Sequence, residues 1–244
     1  MTALGLLAFA AVLLLLFTGL RKRSSAVLRR IAAYDRLNRE VGLAVENGTR
    51  LHISLGRGNL FTVRGASALA GLGMLRRITE RTSVIDRPPI VTSGDPALTI
   101  LSQDSSQSGY RAAGADEQFR VTAGRMTGLS PFSYAAGTIP ISRDENVSAN
   151  ILIGDLGSEA ALVAEAADRQ DASLIAASDN LSAQAIFFAS AQDPLIGEEL
   201  FGAGAYVGAG ASHEASLQVQ DVLRWILILV MTGGAAMKLL GFGF

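Results

Sequence analysis

The chain contains no cysteine, which excludes disulfides, thiolate nucleophiles and cysteine-ligated zinc, although it leaves the redox compartment open. Histidine is nearly absent as well. His52 falls in a predicted strand and His213 in a Gly/Ala/Ser-rich run, too few for a histidine-based metal site, so no metal is expected. A lone strand histidine reads as a structural side chain. A formal net charge of −1 and a pI near 6.1 provide no general field for nucleic acid, and no nucleic-acid partner is expected. The G-x-S-x-G elbow, the Walker lysine loop and H-E-x-x-H are all missing. Gly56-Arg57-Gly58 follows a predicted strand, but Phe61 stands where a dinucleotide fingerprint has its third glycine, so no cofactor is expected. Glu198 and Glu199 are adjacent on one predicted helix and point about 100 degrees apart, a poor geometry for a catalytic pair. No catalytic residue is assigned, and the chain does not read as an enzyme.

Two apolar segments, residues 3–20 and 222–244, bracket the chain, and nearly all the charge lies between them. The first carries no charge and makes about 27 Å of helix, close to a hydrocarbon core of about 30 Å. The second has Trp225 where an interfacial aromatic belongs and Lys238 near enough to its end to snorkel. Both are expected to span a membrane. Arg21, Lys22, Arg23, Arg29 and Arg30 follow the first segment, so the positive-inside rule puts the middle of the chain in the cytoplasm, both termini outside, and these cations at lipid headgroups. A cleaved signal peptide fits less well, because the positive charge follows the apolar run and no A-x-A-like site comes after it. The glycosylation-type triplets at Asn47, Asn146 and Asn180 are then chance matches.

The sequence divides into a membrane helix with its basic flank (1–23), an amphipathic linker helix (24–47), a cytoplasmic α/β domain (48–220) and a second membrane helix (221–244). Val27, Ile31, Tyr34, Leu37, Val41 and Val45 recur at helical spacing, and Asn47-Gly48 supplies a stop. Strands are predicted at 50–54, 89–93, 119–123, 150–154, 172–177 and 185–190, and helices at 65–81, 96–109, 158–169 and 194–207. This alternation predicts an α/β fold with a mostly parallel sheet and helices on both faces. Residues 112–150, with Pro131 and Pro140, form the least regular stretch.

Several strands end near an aspartate. Asp95-Pro96 and Asp193-Pro194 read as an N-cap followed by proline at the first helical position, which explains them without any function. In a parallel sheet, however, Asp95, Asp155, Asp179 and Asp193 would gather along the carboxyl rim, where such sheets bind ligands. That rim is the candidate ligand site.

Ala70-Gly-Leu72, Asp95-Pro96, Ser133-Tyr-Ala-Ala-Gly137, Ala149-Asn150, Leu195-Ile-Gly-Glu-Glu-Leu200, Ala205-Tyr206 and Gln220-Asp221 together resemble an uncharacterised family of bacterial membrane proteins. Its members carry a domain of unknown function between two terminal spans. The chain departs from that pattern at Arg143-Asp-Glu-Asn-Val147, where the family has an Arg-Glu-Lys-Pro-like run before the Ala-Asn pair. The resemblance implies a two-pass protein of the bacterial cell membrane and no activity. The expected role is a homo-oligomeric membrane scaffold whose partners are the bilayer and copies of itself, with other protein partners unknown. Its contacts would be small-residue surfaces at Gly202, Ala205 and Tyr206 and at Gly233 and Gly234, together with the irregular 124–146 stretch. The alternative is a membrane-anchored small-ligand sensor or adaptor using the rim. A hydrolytic enzyme working through Asp and Glu comes third.

Overall fold

The computed structural model describes residues 3–21, 28–62 and 65–239. It divides into two compact units, one made of the two terminal helices and the other of Arg29–Ala209.

In Arg29–Ala209, α2 (Ala32–Asn47) leads into β1 (Arg50–Gly56), α3 (Gly65–Arg81), β2 (Ile90–Ser93) and α4 (Pro96–Ala112). Two 3-10 turns precede β3 (Gly124–Met126), α5 (Pro131–Asp144), β4 (Val147–Asp155) and α6 (Ala160–Asp168). Next come β5 (Ser173–Ser178), α7 (Leu181–Ser190), β6 (Leu195–Ile196), a 3-10 turn (Gly197–Gly202) and α8 (Ala203–Tyr206).

All six strands pair in parallel, in the order β3-β2-β1-β4-β5-β6. Side chains alternate across the pleat. Leu51, Ile53, Leu55, Ile151, Ile153 and Ile175 pack on one side with Tyr34, Leu37, Leu72, Leu75 and Ala203, from α2, α3 and α8. Leu152 and Ala176 pack on the other with Tyr134, Val163 and Phe187, from α5, α6 and α7. The sheet is therefore buried on both faces, as an all-parallel sheet requires.

Four expectations are corrected. Residues 185–190 belong to helix α7, not a strand: the run Ala-Ile-Phe-Phe-Ala is too short for periodicity to decide, and the Asn180 side chain starts the helix by accepting the Ser182 amide at 3.0 Å. Residues 119–123 hold a 3-10 turn, and the strand begins only at Gly124. Residues 194–207 are not one helix but β6, a 3-10 turn and α8, because Leu195 and Ile196 pair with Ala177 and Ser178 at the sheet edge. The irregular 112–150 stretch holds β3 and α5, the latter opened by Ser130, whose hydroxyl caps the Ser133 amide, and by Pro131.

The expected linker helix begins at Ala32, where Ile31 is extended, and buries Tyr34, Leu37 and Val41 in the sheet's core. It is thus part of the α/β unit. Residues 24–27 lie outside the described residues.

In the other unit, α1 (Ala3–Arg21) packs on α9 (Ala211–Leu239). α9 is long and apolar enough, by length and composition, to cross a membrane, and its apolar window is entirely unburied. Among the described residues it is the one helix that meets this measure, and the apolar helix Gly5–Gly19 is shorter. Trp225, Leu229 and Met231 are exposed along α9, as Leu7, Val12 and Leu15 are along α1.

Candidate functional site

The strand order makes β1 and β4 neighbours although their connections diverge to opposite faces of the sheet. Doubly wound sheets of this order bind ligands in the crevice beyond the carboxyl ends of such a pair. Here the crevice is lined by backbone. Gly56 ends β1 with φ at 70°, and a Cβ on it would lie 2.3 Å from the Asp155 carbonyl oxygen, so only glycine fits. The Arg57 amide donates to that same oxygen at 2.8 Å, and the Gly94 amide donates to the Gly56 carbonyl at 2.9 Å. The ends of β1, β2 and β4 are thereby tied together.

Arg57 lies across this floor. A Cβ on Gly94 would meet Arg57 Cγ at 2.4 Å, so the aliphatic stem occupies the space that a bare Gly94 leaves. At its far end Nε donates to Glu159 Oε1 at 2.9 Å. The Glu159 side chain is 1% exposed and that of Arg57 23%. The same Glu159 oxygen accepts the Gly157 amide at 3.0 Å. Burial by itself would raise the pKa of Glu159, but the Gly157 amide and the Arg57 guanidinium outweigh it and hold the carboxyl below its ordinary value. It is therefore ionised. The site is a guanidinium with planar donors, suited to carboxylate or phosphate, already partnered by an internal carboxylate.

Three of the four expected rim acids belong to this edge. Asp95 caps α4, accepting the Leu98 amide at 3.0 Å, as its Asp-Pro sequence indicates. Asp155 is the buried last residue of β4. Asp179 follows β5, and its Oδ1 is buried without a hydrogen-bond partner. Asp193 is elsewhere: it precedes β6, at the amino end of the sheet, caps no helix, and takes Arg36 of α2 at 2.7 Å. A residue before proline is disfavoured in helical backbone, and here Pro194 leads into β6 rather than into a helix.

The expected oligomer contacts also separate. Gly202 and Ala205 are buried in the α/β unit, where small side chains let α8 lie close against α3. Tyr206 stacks on Tyr34 and its hydroxyl donates to the Arg29 carbonyl at 2.6 Å. Gly233 and Gly234 are exposed on α9, with nothing within 4 Å of a Cβ built on either. Of the expected headgroup cations, Arg29 pairs with Glu199 at 2.5 Å and Arg30 with Asp35 at 2.6 Å. The side chain of Arg21, and Lys22 and Arg23 altogether, lie outside the described residues.

Sequence reading passed over Arg57 and Glu159. The available signal was Gly56-Arg57-Gly58, a turn directly after a strand, whereas the Gly94 that leaves room for the Arg57 stem is distant in sequence. An open depression of about 450 Å³ at the amino end of the sheet is lined by Arg36, Glu40, Asp168, Asp171 and Gln192, among others. No group of metal-ligating side chains occurs among the described residues.

No curated protein and no solved structure matches the chain. A family model does, over residues 1–243, and the chain belongs to that family, described as the domain of unknown function DUF6754.

Proposed function

We propose that the protein is a membrane-attached binding module that senses a small anionic ligand at Arg57. The observation that carries this reading is the guanidinium laid across the glycine floor at the β1/β4 switch point and balanced by buried Glu159. The unburied apolar surface of α9, and the exposed leucines of α1 packed on it, support membrane attachment. With basic residues following α1, the orientation is two-pass in a bacterial cell membrane, with the α/β unit cytoplasmic. The test is thermal unfolding of the detergent-solubilised chain with inorganic phosphate, nucleotides and dicarboxylates. At least one should raise the melting temperature, and Arg57→Ala should abolish the rise. If none of these anions shifts the wild type, or if the shift survives in the Arg57 variant, the reading is wrong.

A homo-oligomeric scaffold is the second reading, and a different observation favours it. Gly233 and Gly234 leave a flat, exposed patch on α9 where another helix backbone can approach closely. Its contacts would be made by α9, since Gly202 and Ala205 are buried. A native mass of one chain, in mild detergent and in nanodiscs, would remove it.

A further inference from the structure

Under α5 the sheet is polar. His52 and Ser54 of β1, Thr92 of β2 and Asn150 of β4 have no exposed surface. α5 meets them with Tyr134, Thr138 and Ser142, which recur every fourth residue on its buried side. Tyr134 OH lies 2.6 Å from Ser54 Oγ and 3.2 Å from Thr92 Oγ1. Thr92 Oγ1 lies 2.9 Å from His52 Nε2, and His52 Nδ1 lies 2.8 Å from Asn150 Oδ1, which also accepts from Ser142 Oγ at 2.9 Å.

The proton positions follow from what each atom can do. Asn150 Oδ1 only accepts, so His52 Nδ1 carries the hydrogen and the neutral Nε2 accepts from the Thr92 hydroxyl. Thr92 then receives the Tyr134 proton, and Ser54 donates to Tyr134. The chain of bonds runs through a neutral imidazole, and a second proton on it would turn the hydroxyl bonds round and leave a buried charge whose two partners, Asn150 and Thr92, are neutral. It is also incompletely satisfied, because Asn150 Nδ2 is buried without a partner.

α5 itself is weakly held. Its central Gly137-Thr-Ile-Pro-Ile141 is poor in helix formers, and Pro140 lacks an amide to donate. Its buried apolar side chains are Tyr134, Ala135 and Ile141, whereas α3 buries Leu72, Met74, Leu75 and Ile78. Undocking α5 thus exposes few large apolar side chains of its own, Tyr134 and Ile141, and exchanges hydrogen bonds that water can replace.

We propose that α5 is an acid-released cover: a proton on His52 puts an uncompensated charge beneath this helix and undocks it while the rest of the α/β unit stays folded. The charged and titratable groups around the imidazole do not oppose this. Tyr134 comes from α5, Arg50 from the start of β1 and Arg125 from β3, with Glu145 after α5 bound to both arginines. β2 and β4 contribute the neutral Thr92 and Asn150. Burial first, and Arg125 in addition, lower the proton affinity of His52 against the Asn150 bond, to a pKa of about 4. Once α5 lifts, a hydrated imidazole returns to about 6.5, so each pH unit between these values favours the open form about tenfold.

Hydrogen exchange of the full chain in detergent micelles, corrected for intrinsic rates, tests the proposal. Between pH 6.5 and 5, protection of the α5 amides should fall roughly 15-fold while that of α3 holds, and His52→Asn should remove the pH dependence. Loss of protection in α5 and α3 together, or unchanged pH dependence in His52→Asn, overturns it. Should that variant fail to fold, Tyr134→Phe keeps the ring buried and cuts two links. Faster exchange of α5 alone at pH 7 is then the expected result, and unchanged exchange overturns the proposal.

Discussion

Tyr206 lies flat on Tyr34, the ring centroids 4.5 Å apart and the planes within 10° of parallel. Each hydroxyl reaches past the stack to backbone, Tyr34 to the Glu199 carbonyl and Tyr206 to the Arg29 carbonyl, both at 2.6 Å. The beginning and the end of Arg29–Ala209 are therefore held together by two rings and two hydrogen bonds, and the Arg29–Glu199 ion pair lies beside them. Tyr206→Ala should destabilise the unit by about 2–4 kcal/mol, combining lost burial and stacking, and Tyr206→Phe by about 0.5–1.5 kcal/mol. Denaturant midpoints measure both. For the same reason Ala205→Arg, which would disperse an assembly if Ala205 lay at an interface, should instead unfold the protein. A folded, dispersed Ala205→Arg variant would contradict the burial of this segment.

The two Asp-Pro pairs, alike in sequence, should respond differently. Asp95 accepts an orphan amide of α4, so Asp95→Ala should cost about 0.5–2 kcal/mol and Asp95→Asn almost nothing. Asp193 caps nothing and shares a partly exposed ion pair with Arg36, so Asp193→Ala should cost about 0–1 kcal/mol. In urea titrations, equal costs at the two positions would count against this assignment.

What the sequence made legible was mostly local. α3 occupies the expected 65–81, β1, β2, β4 and β5 fall on or around expected strands, and the Asp95 cap is where Asp-Pro places it. The misreadings share a cause: 185–190 and 194–207 carry apolar runs whose secondary structure is set by what they pack against. β6 is a strand because β5 is beside it, and α7 is a helix because Phe187 must reach the core under α6. The candidate site was illegible for a stronger reason. Arg57 and Glu159 are 102 residues apart, and only the β1–β4 pairing, itself a long-range contact, brings them together.

Stability should fall with acid in a defined window. His52 is neutral when folded, with a pKa lowered to about 4, and titrates near 6.5 when unfolded. Between these values the unfolded chain binds the extra proton. The contribution is thus fully present above about pH 6.5 and is lost as pH falls towards about 4, at about 1.4 kcal/mol per pH unit and roughly 3 kcal/mol in all. His52→Asn should flatten this part of the stability–pH profile. A profile as steep in that variant as in the wild type would assign the acid sensitivity to other groups.

Glu159 offers the sharpest test of what Arg57 is for. Glu159→Gln keeps an oxygen for the Gly157 amide but removes the charge that neutralises the guanidinium, which should cost about 1–3 kcal/mol in stability. If the pair is only a structural link between the ends of β1 and α6, that loss is the whole effect, and added phosphate or sulfate restores nothing specific. If Arg57 is an anion receptor held in check by an internal carboxylate, freeing it should make the variant bind anions more tightly than the wild type. Millimolar phosphate would then stabilise Glu159→Gln more than the wild type, and the double variant with Arg57→Ala not at all. Thermal melts of the two variants and the wild type, at matched ionic strength with chloride as the control, separate these outcomes.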